Sequence, residues 1–209
     1  MARGSLWVMV ALVTGAAVGI GRAIALALLG EGMDTWLADV QDPEGPEGRF
    51  VRVDVTDDAA LRRLIVEAKP DVLVNNAGGI PARGSEVEIL DLNLRSALVA
   101  STLASEYGAR AIVNIASVAG IETLPHSSPA YAAAKAGLIR FTTAYEGAAR
   151  VNCIVPGWIA TPRGLREAAA MTDAERAAAG PMVAMETITA AVSDLLADGT
   201  ARGRVVVMR

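Results

Sequence analysis

The chain has 209 residues, 53% of them hydrophobic, with a mean hydropathy of +0.38 and a formal net charge of −4. That length supports one sizeable α/β core, so residues 1–209 are read as a single domain, and the hydrophobic excess asks for elements covered on more than one side. Acidic and basic residues are interspersed without a basic stripe or polybasic run, which excludes nucleic acid and membrane as expected partners, and the single cysteine excludes an internal disulfide framework.

The opening "MARGSLWVMVALVTG" has the basic start and apolar run of a secretory signal, but the run passes straight into a glycine-rich turn. It is therefore read as a buried first strand at 6–13, and a cytoplasmic protein is expected. Strand-like runs then alternate with helix-period segments. In chain order they are helix 19–29, strands 35–38 and 49–53, helix 57–68, strand 72–75, helix 85–107, strand 111–116, helix 128–148, strand 151–155, helix 187–197 and strand 204–208. Such alternation belongs to parallel βαβ units, and predicts an α/β fold: a doubly wound parallel sheet of about seven strands with helices on both faces, in three α/β/α layers.

One link breaks the alternation. Residues 40–48, "VQDPEGPEG", hold two prolines and two glycines in a stretch too short for a crossover helix, so a tight irregular connection is expected. Residues 163–185 are alanine-rich with breaks at "MTD" and "GP", and read as short helices in an excursion placed to act as a lid. Cys153, within "VNCIVPG", reads as a buried strand thiol, and no metal site is expected.

The first strand leads into "VTGAAVGIGRAIALALL", with glycines at 15, 19 and 21. Glycines there let the backbone turn tightly and approach a pyrophosphate, while the exposed N–H groups and positive end of the following helix favour the anion. The spacing differs from the general G-x-G-x-x-G fingerprint, so position after strand one carries the weight. Asp39 closes the second strand 18 residues after Gly21, where a carboxylate can accept hydrogen bonds from ribose hydroxyls.

"SPAYAAAKAG" sets Tyr131 and Lys135 one helical turn apart, facing the same way. A free tyrosine has a pKa of about 10, and lowering it by ~3 units requires ~4 kcal/mol of differential stabilisation, within reach of a nearby cation in a sheltered site. Lys69 and Lys135 are the only lysines among 19 basic residues, so this position departs from the chain's preference for arginine. A compact ammonium suits it better than a broad guanidinium. Ser117 ends a predicted strand, where open α/β sheets assemble their sites.

With the glycine turn, "NNAG" at 75–78, Ser117 and the Tyr131/Lys135 pair, the chain resembles the short-chain dehydrogenase/reductase family through nearly its whole length. The resemblance implies a Rossmann-type fold and NAD(P)-dependent hydride transfer between a secondary alcohol and a ketone. It makes Tyr131 the general acid/base, has Lys135 lower the tyrosine pKa and hold the nicotinamide ribose, and sets Ser117 on the substrate oxygen. Asn93 in "DLNLRSA" becomes a link in a proton-relay water chain. For the cofactor it implies contacts from Gly15, Gly19, Ile20 and Gly21, from Asp39, from Asp54 and Val55 at adenine, and from Asn76, Ala77 and Gly78 in the cleft. Pro156, Gly157, Ile159 and Thr161 of "PGWIATP" complete the set, the last two at the carboxamide and diphosphate.

Asp39 predicts NAD as cofactor in preference to NADP, with Arg22 the opposing feature because it could attract a 2′-phosphate. A small-molecule alcohol or ketone is the expected substrate; a 3-oxoacyl thioester reductase or 3-hydroxyacyl-CoA dehydrogenase is the alternative, needing a basic entrance to which Arg95, Arg163 and Arg166 cannot be assigned from sequence. A non-catalytic nucleotide-sensing scaffold is the rival of another class. Helices 85–107 and 128–148 are apolar around much of their circumference, and family members pair through them, so a homodimer or homotetramer is expected. The chain departs from the family's pattern in a Ser117 to Tyr131 interval of 14 residues, a shortened helix after Ser128 and an ending "VVVMR" in place of Asp-Gly-Gly. His126 and Trp158 are candidates for the substrate wall only.

Overall fold

The computed structural model describes residues 8–122, 128–173, 176–177 and 180–209. Seven strands are seen among them: β1 (Val10–Thr14), β2 (Asp34–Asp39), β3 (Arg49–Arg52), β4 (Val72–Asn75), β5 (Ala111–Ile115), β6 (Arg150–Pro156) and β7 (Val205–Met208). They form one sheet in the order β3-β2-β1-β4-β5-β6-β7, every pair parallel. Residues 6 and 7 of the expected first strand lie outside the described residues, and the strand begins at Val10.

Side-chain alternation along the strands explains the layers. Ala11 and Val13 of β1 and Val72 and Val74 of β4 pack under Ile24, Ala25 and Leu28 of α1 (Gly19–Gly30). Ile188, Val192 and Leu195 of the last helix, Met185–Ala197, complete that face. Leu12 and Leu73 point the other way, onto Leu61, Leu64 and Ile65 of α2 (Asp58–Ala68) and onto Ala100, Leu103 and Ala104 of the fourth helix. Each fully buried leucine, Leu12 among them, stabilises the fold by about 2 kcal/mol.

The expected helix 85–107 is a helical run in three parts: α3 (Glu86–Leu90), a wider π turn at Asp91–Arg95, and α4 (Ser96–Glu106). Its start is fixed by a capping box, with the Ser85 hydroxyl accepting from Glu88 N–H and the Glu88 carboxylate accepting from Ser85 N–H. α5 (Pro129–Ala144) ends four residues earlier than the expected 148, because Tyr145 turns extended and lays its ring over Gly147 as the chain heads into β6. α6 (Pro162–Ala170) opens the predicted lid, and Met185–Ala197 is α7. The 40–48 connection is irregular, as its prolines and glycines require. Among the described residues no helix is long and apolar enough to cross a membrane.

The strand order reverses beside β1, whose neighbours are β2 on one side and β4 on the other. A crevice opens at such a switch point, beyond the carboxyl ends of the strands. Register brings those ends level: Thr14 pairs with Ala38, Asn75 with Asn114, Ile115 with Ile154 and Pro156 with Met208. Behind them runs a buried polar network that sequence reasoning missed. Asn75 Nδ2 donates to Asn114 Oδ1 at 2.8 Å and to Ser101 Oγ at 2.9 Å, and Asn114 Nδ2 donates to Thr142 Oγ1 at 3.0 Å. Fully partnered groups of this kind tie β4, β5, α4 and α5 together at the floor of the crevice.

Candidate active site

At the carboxyl edge of the sheet lies a cleft of about 870 Å³. It runs from the end of β2 to the loop after β6, four strand spacings or ~19 Å, the reach of an extended dinucleotide. Sixteen of the eighteen site residues read from sequence line it: Gly15, Gly19, Ile20, Asp39, Asp54, Val55, Asn76, Ala77, Gly78, Ser117, Tyr131, Lys135, Pro156, Gly157, Ile159 and Thr161. Gly21 and Asn93 are the two that sit behind its wall.

The glycine turn has the form its residues require. Gly15 and Gly19 take left-handed φ of 65° and 60°, a conformation side chains strain to reach. A Cβ on Gly21 would collide with the Gly15 carbonyl oxygen, so this glycine serves packing, whereas a Cβ on Gly19 would meet only open space. Val18 gives α1 no side-chain cap, and no acid occupies its first turn. Its leading N–H groups therefore face the cleft without a protein anion, which suits a diphosphate.

Asp39 is fixed by two backbone donors: Ala17 N–H reaches one carboxylate oxygen at 2.9 Å and Gln41 N–H the other at 3.0 Å. Arg22, the expected competitor at the ribose, is turned elsewhere. Its Nη2 lies 2.5 Å from Glu47 Oε2 under the 40–48 loop, and the residue is buried at 7% exposure, outside the cleft lining. Asp54 spends one oxygen on the N–H and hydroxyl of Thr56, at 2.9 and 2.7 Å, and stands exposed beside buried Val55. Asn76 Nδ2 donates to the carbonyls of Thr14 and Gly15 at 3.1 and 2.9 Å, locking the "NNAG" segment to the glycine turn.

Lys135 is the most unusual group in the cleft. It is 4% exposed, its Nζ donates to the Ile115 carbonyl at 3.0 Å, and it stands 5.5 Å from the Tyr131 ring centroid. Burial pushes its pKa down to about 8, while neighbouring Cys153 acts weakly in the other direction. The Cys153 thiol, fully buried in β6, is pushed up to about 12, also by burial, and stays protonated as expected. Gly78 makes the close approach possible, since a Cβ there would lie 2.7 Å from Asn93 Oδ1 and 3.3 Å from Lys135 Nζ.

Ser117 caps a 3₁₀ turn at Val118–Gly120, its Oγ accepting from Ala119 N–H at 3.2 Å, which leaves its own O–H as a donor. Thr161 caps α6 in the same way, accepting from Gly164 N–H at 3.0 Å. Asn93 sits at the centre of the π turn, its amide saturated: Oδ1 accepts from Gly79 N–H at 2.8 Å and Nδ2 donates to the carbonyls of Gly79 and Ile89. π turns are frequent at functional sites, and this one aims an amide at the cleft wall. His126 lies outside the described residues, and Trp158 does not line the cleft. Sequence reasoning missed Gly79, Ile80, Pro81 and Leu92 in the lining; "GGIP" had the turn signal for the first three.

A glycine turn opening a helix, an acid at the end of β2 and a serine, a tyrosine and a lysine share one cleft, the parts a dinucleotide-dependent oxidoreductase needs. The family model described as short chain dehydrogenase matches residues 9–172, and the chain belongs to that family. It is 35% identical over 185 residues to 15-hydroxyprostaglandin dehydrogenase (NAD(+)) of Rattus norvegicus, covering 73% of this chain and 69% of that protein. It is 32% identical over 223 residues to cis-4-hydroxycyclohexanecarboxylate dehydrogenase of Sinomonas cyclohexanicum, covering 90% and 89%. Among solved structures, a variant of actinorhodin polyketide ketoreductase with NADPH superposes with a TM-score of 0.80 at 26% identity, covering 96% and 95%. The protein is an oxidoreductase that transfers a hydride between a nicotinamide cofactor and an alcohol or ketone, which removes the scaffold alternative.

Proposed function

We propose that the chain is an NAD-preferring dehydrogenase of a small secondary alcohol in which Tyr131 moves the proton. The observation that carries this reading is the meeting of Ser117, Tyr131 and Lys135 at the β5 end of a cleft whose other end holds Asp39. Gly15, Gly19 and Ile20 would hold the diphosphate with Gly21 packed behind them, Asp39 the adenosine ribose, Asp54 and Val55 the adenine. Asn76, Ala77 and Gly78 would wall the middle, and Pro156, Gly157, Ile159 and Thr161 the nicotinamide side. A nicotinamide bound there would supply or accept the hydride at the carbinol carbon.

The protein's part is the proton and the geometry. Ser117 donates its free O–H to the substrate oxygen and holds it toward Tyr131. In oxidation the hydroxyl proton passes to the Tyr131 phenolate oxygen as the hydride leaves the carbon; in reduction Tyr131 returns it to the ketone oxygen. The Lys135 ammonium favours the phenolate by charge, and its remaining donors would serve the nicotinamide ribose. A proton relay past Asn93 runs over its backbone, because Gly79 and Ile89 occupy its side chain. A cytoplasmic location belongs to the same reading, since that compartment supplies the cofactor, and cell fractionation tests it.

Tyr131→Phe tests the assignment. It removes the proton donor and little of the cofactor surface, so kcat should fall by well over tenfold with NAD affinity nearly unchanged. A variant that keeps a tenth or more of the wild-type kcat would sink the assignment.

A further inference from the structure

The charges lining the cleft are divided between its two ends. Asp39, Glu44 and Asp54 lie on the β2–β3 side, while Lys135 and Arg166 lie on the β5–β6 side. Lys135 is committed to Ile115 and Tyr131. Arg166 is exposed, and among the described residues it has no hydrogen-bond or ion-pair partner. Arg95, by contrast, is engaged: it reaches Asp58 at 2.6 Å, Asp91 at 2.8 Å and the Thr56 carbonyl at 2.8 Å.

The backbone that carries Arg166 is firmly placed. Thr161 caps the helix, and Gly164 packs so tightly on the Ile159 carbonyl that a Cβ there would collide with it. The 158–160 loop is tied to the far end of the lid, with Ala160 N–H donating to the Val183 carbonyl at 3.0 Å and Val183 N–H to the Trp158 carbonyl at 2.6 Å. Pro162 and Arg166 are one turn apart on the same face of α6, and both line the cleft. Arg166 thus stands about 6 Å along the helix from Pro162 and is exposed. The N-terminus of α1 and Thr161 serve the diphosphate in the same reading, so an anionic group on the substrate is the partner that suits this cation.

Resting on the reading of Tyr131 as proton-transfer group, we propose that Arg166 makes the enzyme select alcohols or ketones carrying an anionic group. A free carboxylate or the phosphate of a carrier thioester would both supply it, and the planar guanidinium grips either one with paired hydrogen bonds. Arg166 is a specificity residue in this proposal, and the hydride and proton steps proceed without it.

The test follows NADH formation on paired substrates: 3-hydroxy acids and 4-hydroxycyclohexanecarboxylate against their methyl esters, and 3-hydroxybutyryl-CoA against its N-acetylcysteamine thioester. Wild-type kcat/KM should favour the anionic member of one pair by tenfold or more. Arg166→Gln should erase that ratio with the neutral member unaffected, and Arg166→Lys should restore part of it. The first pairs assign a carboxylate, the last a carrier phosphate. Thermal stabilisation of the NAD-saturated protein by the same compounds reads binding without turnover, so loss of activity through a wrong Tyr131 assignment would still leave the Arg166-dependent shift visible. Equal handling of charged and neutral partners in both assays overturns the proposal. So does a Gln variant whose only change is weaker NAD binding, which would give Arg166 to the cofactor.

Discussion

At the residue scale, two charged groups make opposite predictions testable on one protein. Asp39 is held by Ala17 and Gln41 in the cleft lining, the place proposed for the adenosine ribose, and Arg22, which could have offset it, is occupied by Glu47. Unit like charges ~4 Å apart at an effective dielectric near 20 repel by about 4 kcal/mol, and screening leaves about 2 to 3 kcal/mol against a 2′-phosphate. The expected preference in kcat/KM is therefore on the order of 30- to 150-fold for NAD; equal values would remove Asp39 from the ribose. Lys135 concerns stability. Its folded pKa of about 8 lies below its ordinary 10.5, so the folded state binds its proton less tightly than the unfolded state does. The destabilisation is full below pH 8, about 3 kcal/mol, and fades as pH rises toward 10.5. Lys135→Met should accordingly abolish turnover yet resist urea better at pH 7, with the advantage shrinking between pH 8 and 10. An advantage independent of pH would mean that packing, and not charge burial, sets it.

At the element scale, the chain's punctuation decided what could be read. The strands were legible because parallel, doubly covered strands are short apolar runs, and β4 was read to the residue. The π turn was not: "DLNLRS" carries the same apolar spacing in an ordinary helix, so Asn93 was reached through resemblance, and the extra residue in the turn has no local signal. The early end of α5 was equally hidden, since "YEGAAR" satisfies helical composition and only the need to enter β6 ends it. The partner of Arg22 was hidden because sequence shows its neighbours in the helix and not the loop acid 25 residues away. Close packing of elements supplies this scale's prediction. A Cβ on Gly120 would lie 2.6 Å from both Ala136 N and the Lys135 carbonyl carbon, backbone atoms that cannot swing aside. Gly120→Ala should cost about 1–3 kcal/mol in chemical unfolding and lower kcat by displacing Lys135. Unchanged values for both would mean that the 3₁₀ turn and α5 slide apart freely.

At the scale of the whole molecule, we propose a homodimer or homotetramer. Val87 is 65% exposed and Leu90 stands beside it on the outer side of α3, next to α5, where water is a poor neighbour for so much apolar surface. Sedimentation at micromolar concentration should give a multiple of the 21.6 kDa chain mass, and a 21.6 kDa species would refute the proposal. The cleft has a consequence of a different kind. Its walls are drawn from Gly15 through Arg166, residues brought together only when the sheet and its helices assemble. Cofactor held there would bind the native state in preference to the unfolded one, and mass action would add its binding free energy to the fold: about 2.7 kcal/mol when free cofactor stands at 100 times its Kd. The melting temperature of this enzyme should then rise with the concentration of free nicotinamide cofactor around it.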